Sequence, residues 1–155
     1  MNGKTTVNEI NIVDSWDGHV KDLLKTLRPA DKLEAERLGL DPDKAVYQSY
    51  HSALYRKTGL VDGEVAAMWG VSGTPLSLIG HPYLITGSLV ETISPRRFIT
   101  IYKEEVQRMK QLFPVLENYV DADYKSAVRV LKISGFKLEG PLVLNNNFYK
   151  YSIGN

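Results

Sequence analysis

Few residues in this chain are of a type and spacing that perform covalent chemistry. Cysteine is absent, which excludes a thiolate nucleophile, a thiolate zinc site and any disulfide. His19, His51 and His81 have no partners at metal-ligand spacing, and no His-Glu-x-x-His pattern occurs, so no metal site is expected. The run Gly70-Val71-Ser72-Gly73-Thr74 lacks the last glycine of a nucleophile elbow and sits in a turn between strands, where that motif needs a strand-to-helix turn. Asp41, Asp43 and Asp62, and the pair Asp121 and Asp123, read most simply as caps and turns. Glu64, Glu91 and His81 have the chemistry of a general base. None has a supporting context: Glu64 follows the Asp62-Gly63 turn, and a lone histidine in a strand is usually structural. Arg96 and Arg97 open a helix behind Ser94-Pro95, where two side-chain cations can hold an anion, although such a pair is more often solvated surface. No catalytic residue is assigned on this reading.

The elements that carry these residues follow from periodicity. Residues 9–13 alternate polar and apolar and read as a half-buried strand. Ser15 or Asp17 then caps a helix with Val20, Leu23, Leu24 and Leu27 on its apolar face. Pro29 ends that helix or begins the next, a short one from Asp31 to Leu38 that stops at Gly39. Asp41-Pro42 opens a third helix, with Val46, Tyr50, Ala53 and Leu54 on one face. Leu60-Val61 leads through the Asp62-Gly63 turn into a strand at 65–71. After a turn at Ser72-Gly73-Thr74-Pro75, residues 76–86 read as a strand in which Gly80 and Pro82 signal a bulge or an edge. Helices are expected at 94–113 and 123–134, closed by Pro114 and Gly135. Strands are expected at 115–120, 136–140 and 147–153, the last two joined by a turn at Asn145, Asn146 and Asn147.

A chain of 155 residues with ordinary apolar and charged fractions suits one domain, 1–155, with a continuous core. Its formal net charge of +1 argues against a large phosphate-binding face, and its scattered tyrosines against a base-stacking platform, so no nucleic-acid partner is expected. The start of the chain has no basic segment followed by an apolar one, and no apolar run approaches the ~20 residues of a membrane-spanning helix. A leader, a membrane span and a membrane partner are therefore not expected. Alternating periods of this kind predict a mixed sheet covered by helices on both faces, with the two long helices serving as crossovers.

The segment VDADYKSAVRVLKISGF, residues 120–136, resembles the last strand-helix-strand unit of the GNAT acetyl-CoA-dependent N-acetyltransferases, with the frame falling on Tyr124, Ala127, Leu131, Gly135 and Phe136. The element order around it is similar over residues 8–153. In the family's layout the expected fold class is α/β with a mixed, mostly antiparallel sheet. Its element order is one strand, two helices, three strands, helix, strand, helix and two strands. A narrower resemblance rests on LRPADKLEAERLGLDP, DGEVAAMWGVSG, SPRRF, LENYVDAD and LKISGF. These are similar to a small GNAT-like family of short-tailed bacteriophages, described as internal virion proteins or as acetyltransferases.

The resemblance implies a cofactor region near Ser94, Arg96, Arg97 and Tyr124, and it also shows what is missing. The family's diphosphate loop has the form Gln/Arg-x-x-Gly-x-Gly/Ala, whereas residues 87–97 keep one glycine and carry Pro95 and Glu91. The family's acidic tyrosine is replaced by Leu131, which cannot donate a proton, so Tyr124 or Tyr102 would have to substitute. The family's arm-contacting asparagine is replaced by Tyr124. These departures predict weak or absent acetyl-CoA binding, hence no cofactor and a non-catalytic role, and the narrower resemblance implies that the role is that of an internal virion or assembly protein with a phage or host protein partner. The implied location is the bacterial host cytoplasm during infection, or the virion. The alternatives are an N-acetyltransferase that uses acetyl-CoA and an effector that binds a host protein. Without cofactor, the cleft should be plugged by Tyr124 and Leu131 or left open for a partner.

Overall fold

The computed structural model describes residues 8–74 and 76–154; the opening residues 1–7 and Pro75 of the expected turn lie outside the described residues. In chain order the elements are β1 (Ile10–Asp14), α1 (Asp17–Lys25), α2 (Pro29–Arg37), α3 (Pro42–Ser52), β2 (Ala53–Val61), β3 (Glu64–Ser72) and β4 (Ile79–Thr86). A 3-10 turn (Ser88–Thr92) follows, then α4 (Pro95–Leu112), β5 (Val115–Asp121), α5 (Lys125–Ile133), β6 (Lys137–Val143) and β7 (Phe148–Ile153). The strands form one sheet in the order β1-β2-β3-β4-β5-β7-β6. Every neighbouring pair is antiparallel except β4 and β5, which are parallel and joined by the α4 crossover. This is the expected mixed sheet, with three separate helices before β2 where the family layout has two.

The β4–β5 contact decides the shape of the molecule. Only Ile79↔Val115 and Gly80↔Leu116 pair, and the strands then diverge. Proline supplies the reason. Pro82 has no N–H with which to continue the ladder. Its carbonyl instead accepts hydrogen bonds from Asn118 Nδ2 at 2.7 Å and Tyr151 Oη at 3.3 Å. Gly80 is required just before this point, because a Cβ there would lie 2.6 Å from the ring of the buried Phe113. The edge that Gly80 and Pro82 signal in the sequence is thus an internal one, inside the sheet.

Two apolar clusters cover the two faces. On one, Trp69, Tyr102, Val106, Phe113 and Leu131 pack beneath α4 and α5. On the other, Val20, Leu23, Val46, Tyr50 and Met68 pack beneath α1 and α3. The first contains a carboxylate, Glu105 on α4, with no solvent exposure. It accepts hydrogen bonds from Trp69 Nε1 at 2.7 Å and Tyr55 Oη at 2.8 Å, and pairs with Arg108. Such saturation is what permits a charge to be buried.

Several boundaries differ from the sequence reading. Ala53 and Leu54 belong to β2, not to the face of α3, because the chain passes from helix to strand with no intervening turn and Ala53 pairs with Ser72. Leu76 and Leu78 lie outside β4 and are 97% and 70% exposed, so their apolar character does not mark a strand. Neither Ser15 nor Asp17 caps α1: Ser15 Oγ is buried against Thr58 Oγ1, while Trp16 N–H donates to His19 Nδ1. Pro29 opens α2. The three-residue left-handed stretch at Leu144, Asn145 and Asn146 forms the expected β6–β7 turn. Among the described residues, no helix is long and apolar enough to cross a membrane.

Candidate functional site

The diverging strands open a cavity of about 440 Å³ that reaches from α2 and α3 on one face to α4 and α5 on the other. Its walls include Pro82–Thr86 of β4 and Asn118–Val120 of β5. Among the described residues, those of β4 beyond Gly80 have no strand partner on this side, so the cavity is bordered by strand edge. Leu27, Leu38, Leu40, Val46 and Ile85 make much of the remaining surface apolar.

A polar stripe at three-residue spacing runs along α2, Arg28 just before it and then Asp31, Glu34 and Arg37, and the first three of these line the cavity. Asp31 Oδ2 accepts from Thr86 Oγ1 and from Tyr124 Oη, each at 2.8 Å. Arg28 donates to Thr86 Oγ1 at 3.5 Å, and its guanidinium lies 5.9 Å from the centre of the Tyr124 ring. Glu34 Oε2 accepts from the backbone N–H of Asp121 at 2.9 Å. Arg37 donates to both oxygens of Asp121, at 2.9 and 3.1 Å, and to Asp123 at 3.0 Å.

These contacts set the protonation states. Burial pushes the Glu34 carboxyl up to about 7; the Asp121 N–H pulls it down, and the Asp31 and Asp121 carboxylates push it further up. Burial also raises Asp31, against the bonds from Thr86 and Tyr124 and the charge of Arg28. The Tyr124 phenol is raised well above its ordinary range, chiefly by burial and then by the Asp31 charge, so it stays protonated and acts as a hydrogen-bond donor. Glu34 therefore titrates near neutrality at the wall of an apolar cavity. That is the property of a group that accepts a proton from a bound ammonium.

The residues singled out in the sequence are divided by the fold. Tyr124 lines the cavity and is half-buried, and Leu131 is buried at its base. Leu131 is buried as a plugged cleft requires, whereas half-buried Tyr124 leaves a cavity beside it unfilled. Ser94 caps α4 by accepting from the N–H of Arg97 at 3.2 Å. Arg96 and Arg97 line a separate shallow groove against β1, where Arg97 donates to the carbonyl of Asn8 at 2.9 Å. Tyr102 is buried within the α4 face, 2% exposed, so it cannot serve as the acid. Glu64 is exposed beside its turn, and His81 is exposed with Nδ1 3.0 Å from the Glu117 carbonyl. Asp121 and Asp123 form the expected turn, where the Asp123 N–H donates to Asp121 Oδ1 at 2.9 Å, and they also anchor Arg37. Asp31, Glu34 and Arg37 are missing from the sequence reading. Their signal is the spacing of Arg28, Asp31, Glu34 and Arg37 within a helix that has no apolar stripe.

An acyl thioester of coenzyme A fits this site only in part. An extended arm suits the free edge of β4. The diphosphate does not suit the segment 87–98. There the N–H groups of Gly87, Ser88, Val90, Ile93, Arg97 and Phe98 are already bonded within the protein. Pro95 has none, and Glu91 adds a negative charge, 3.8 Å from Arg28.

No protein-family model matches the chain, and no curated protein is similar to it in sequence. Solved structures are similar in fold. The spermidine N-acetyltransferase of Vibrio cholerae, solved with CoA and spermine, superposes with a TM-score of 0.67 at 11% identity, covering 93% of this chain and 94% of that one. The microcin C7 self-immunity acetyltransferase MccE, solved with acetyl-CoA and AMP, gives 0.62 at 13% identity, with 95% and 93% covered. A GNAT-family acetyltransferase of Streptococcus pneumoniae gives 0.58 at 13% identity, with 94% and 99% covered. By these superpositions over nearly its whole length, the chain has the mixed α/β fold of the GNAT acetyltransferases.

Proposed function

We propose that the chain is an N-acyltransferase that acylates an amine held in the β4–β5 cavity, with Glu34 as the general base. The observation that carries this reading is a half-buried carboxyl near neutral pKa at the wall of a cavity that spans the sheet. An incoming ammonium cannot act as a nucleophile until it loses a proton. Glu34 takes that proton, and its negative charge and that of Asp31 favour a cationic guest in a space walled by leucine and valine. Tyr124, oriented by Asp31 and Thr86, presents a protonated phenol to the cavity. A thioester donor supplies the electrophilic acyl carbon. The test is release of free thiol from acetyl-CoA by the purified chain with a panel of primary amines and polyamines. Turnover that is lost in Glu34→Gln supports the reading; no turnover with any amine, or an undiminished Glu34→Gln, overturns it.

The occupied N–H groups of 87–98 favour a second reading, in which acetyl-CoA binds weakly or not at all and the open cleft receives a protein segment. Each charge-assisted bond to phosphate that is missing costs about 1.5–3 kcal/mol. In this reading the chain is an internal virion or assembly protein of a phage, or a binder of a host protein. Calorimetry separates the two readings: low-micromolar acetyl-CoA binding excludes the second. Presence in purified particles, or in a stable complex from infected cells, with no detectable acetyl-CoA binding, excludes the first.

A further inference from the structure

Helix α2 is held in an unusual way. None of its residues is buried, and none belongs to either apolar cluster, whereas its neighbours α1 and α3 each bury two residues in the core. Leu33 and Leu38 are 44% and 42% exposed. What fixes α2 is polar and lies across the cavity. At its start, the Arg28 N–H donates to the carbonyl of Thr86 on β4, and Asp31 accepts from the Thr86 hydroxyl. At its end, Arg37 grips Asp121 at the end of β5 and Asp123 in the following turn, and Glu34 accepts from the Asp121 N–H. Its polar stripe thus ties together the two strands that diverge, at the open end of their divergence. Behind it, Gly39 at φ +76° breaks the chain before α3 with open space around it.

We infer that α2 is a lid on the β4–β5 cavity, held shut by an Arg37–Asp121/Asp123 strap and free to swing when that strap releases. Core packing resists opening in proportion to the apolar area that must be exposed, and here that area is small. An ion-pair strap with one exposed partner is weak and screened by salt. Asp31 and Glu34 stand on the lid itself and line the cavity, so its opening is the step that admits a guest between them and the strands. The inference rests on the cavity being the reaction site but not on the chemistry inside it.

Backbone hydrogen exchange, followed by mass spectrometry on the full chain without any acyl donor, tests the lid apart from the reaction. The expected result in the native chain is protection over 29–37 at least tenfold lower than over 42–52 and 95–112. Arg37→Gln should lower protection over 29–37 a further fivefold or more, with 42–52 and 95–112 unchanged, and added salt should act in the same direction. Asp123→Asn gives a second readout, since Asp123 is 69% exposed and its loss leaves the core intact. Equal protection of α2 and α3 in the native chain overturns the inference. So does a loss of protection spread evenly over the chain in both variants.

Discussion

Two carboxylates, the buried Glu105 on α4 and the half-buried Glu34 on α2, show how the same residue type meets two different environments. Glu105 sits inside a packed face and receives an indole N–H, a phenol O–H and the Arg108 guanidinium. Its charge is fully answered by protein donors, and it ties β2, β3 and α4 together. Glu34 receives a single backbone N–H and stands near two other carboxylates, Asp31 and Asp121. Its charge is answered only in part, so its proton leaves near pH 7 instead of in the ordinary carboxylate range. Donor saturation separates an acid whose charge is fully met from one whose pKa rises toward neutrality.

The largest effect that can break this comparison is kinetic. Glu34→Gln keeps the shape and removes the base, so amine acylation should fall by roughly 10²–10⁴-fold while folding is retained. Steady-state kinetics beside a denaturation curve measures both. Glu105→Ala should do the reverse. It strands the donors of Trp69 and Tyr55 and opens a cavity, lowering stability by roughly 2–4 kcal/mol in urea denaturation, with activity per folded molecule little changed.

A third test uses pH. The folded chain holds the Glu34 proton at about 7 against an ordinary 4.5, so this group's contribution to stability is full below pH 4.5 and lost as pH rises through 7. Replacing Glu34 by the uncharged Gln removes that loss. Glu34→Gln should therefore match the native chain near pH 4 and exceed it near pH 8 by about 1–3 kcal/mol, the lower end reflecting solvent screening. Equal pH profiles for the two proteins would mean that Glu34 is as well answered as Glu105. The smallest effect belongs to Asp123→Asn. Global thermal unfolding should barely move, because the Arg37–Asp121 contact survives.

Much of the fold was legible in local patterns. The helical spacing of Phe98, Tyr102 and Met109, the Ser94-Pro95 start and the Asp62-Gly63 turn each report on a few consecutive residues, and the structure places an element or turn at each. Gly80 and Pro82 announced an interruption, since one removes a side chain and the other a donor whatever the surroundings. The errors fall where local character and surroundings part. Ala53 and Leu54 continue the apolar spacing of α3 but enter β2, and Leu76 and Leu78 are apolar yet exposed.

The candidate site was legible at Tyr124 and Leu131, through the frame of the resemblance, and at Glu91, through its chemistry. A carboxylate in a polar helix such as PADKLEAER is ordinarily solvated, and nothing in its neighbours distinguishes Glu34 from Glu36, which is exposed. The sequence by itself determined the fold class, the absence of thiol chemistry, the poor diphosphate loop and the break in the sheet at Pro82. Only the tertiary structure decided that α2 spans that break, because its anchors lie 55 to 93 residues away along the chain. It alone made Glu34 a weak acid, since a pKa depends on the water removed and the charges gathered around a group.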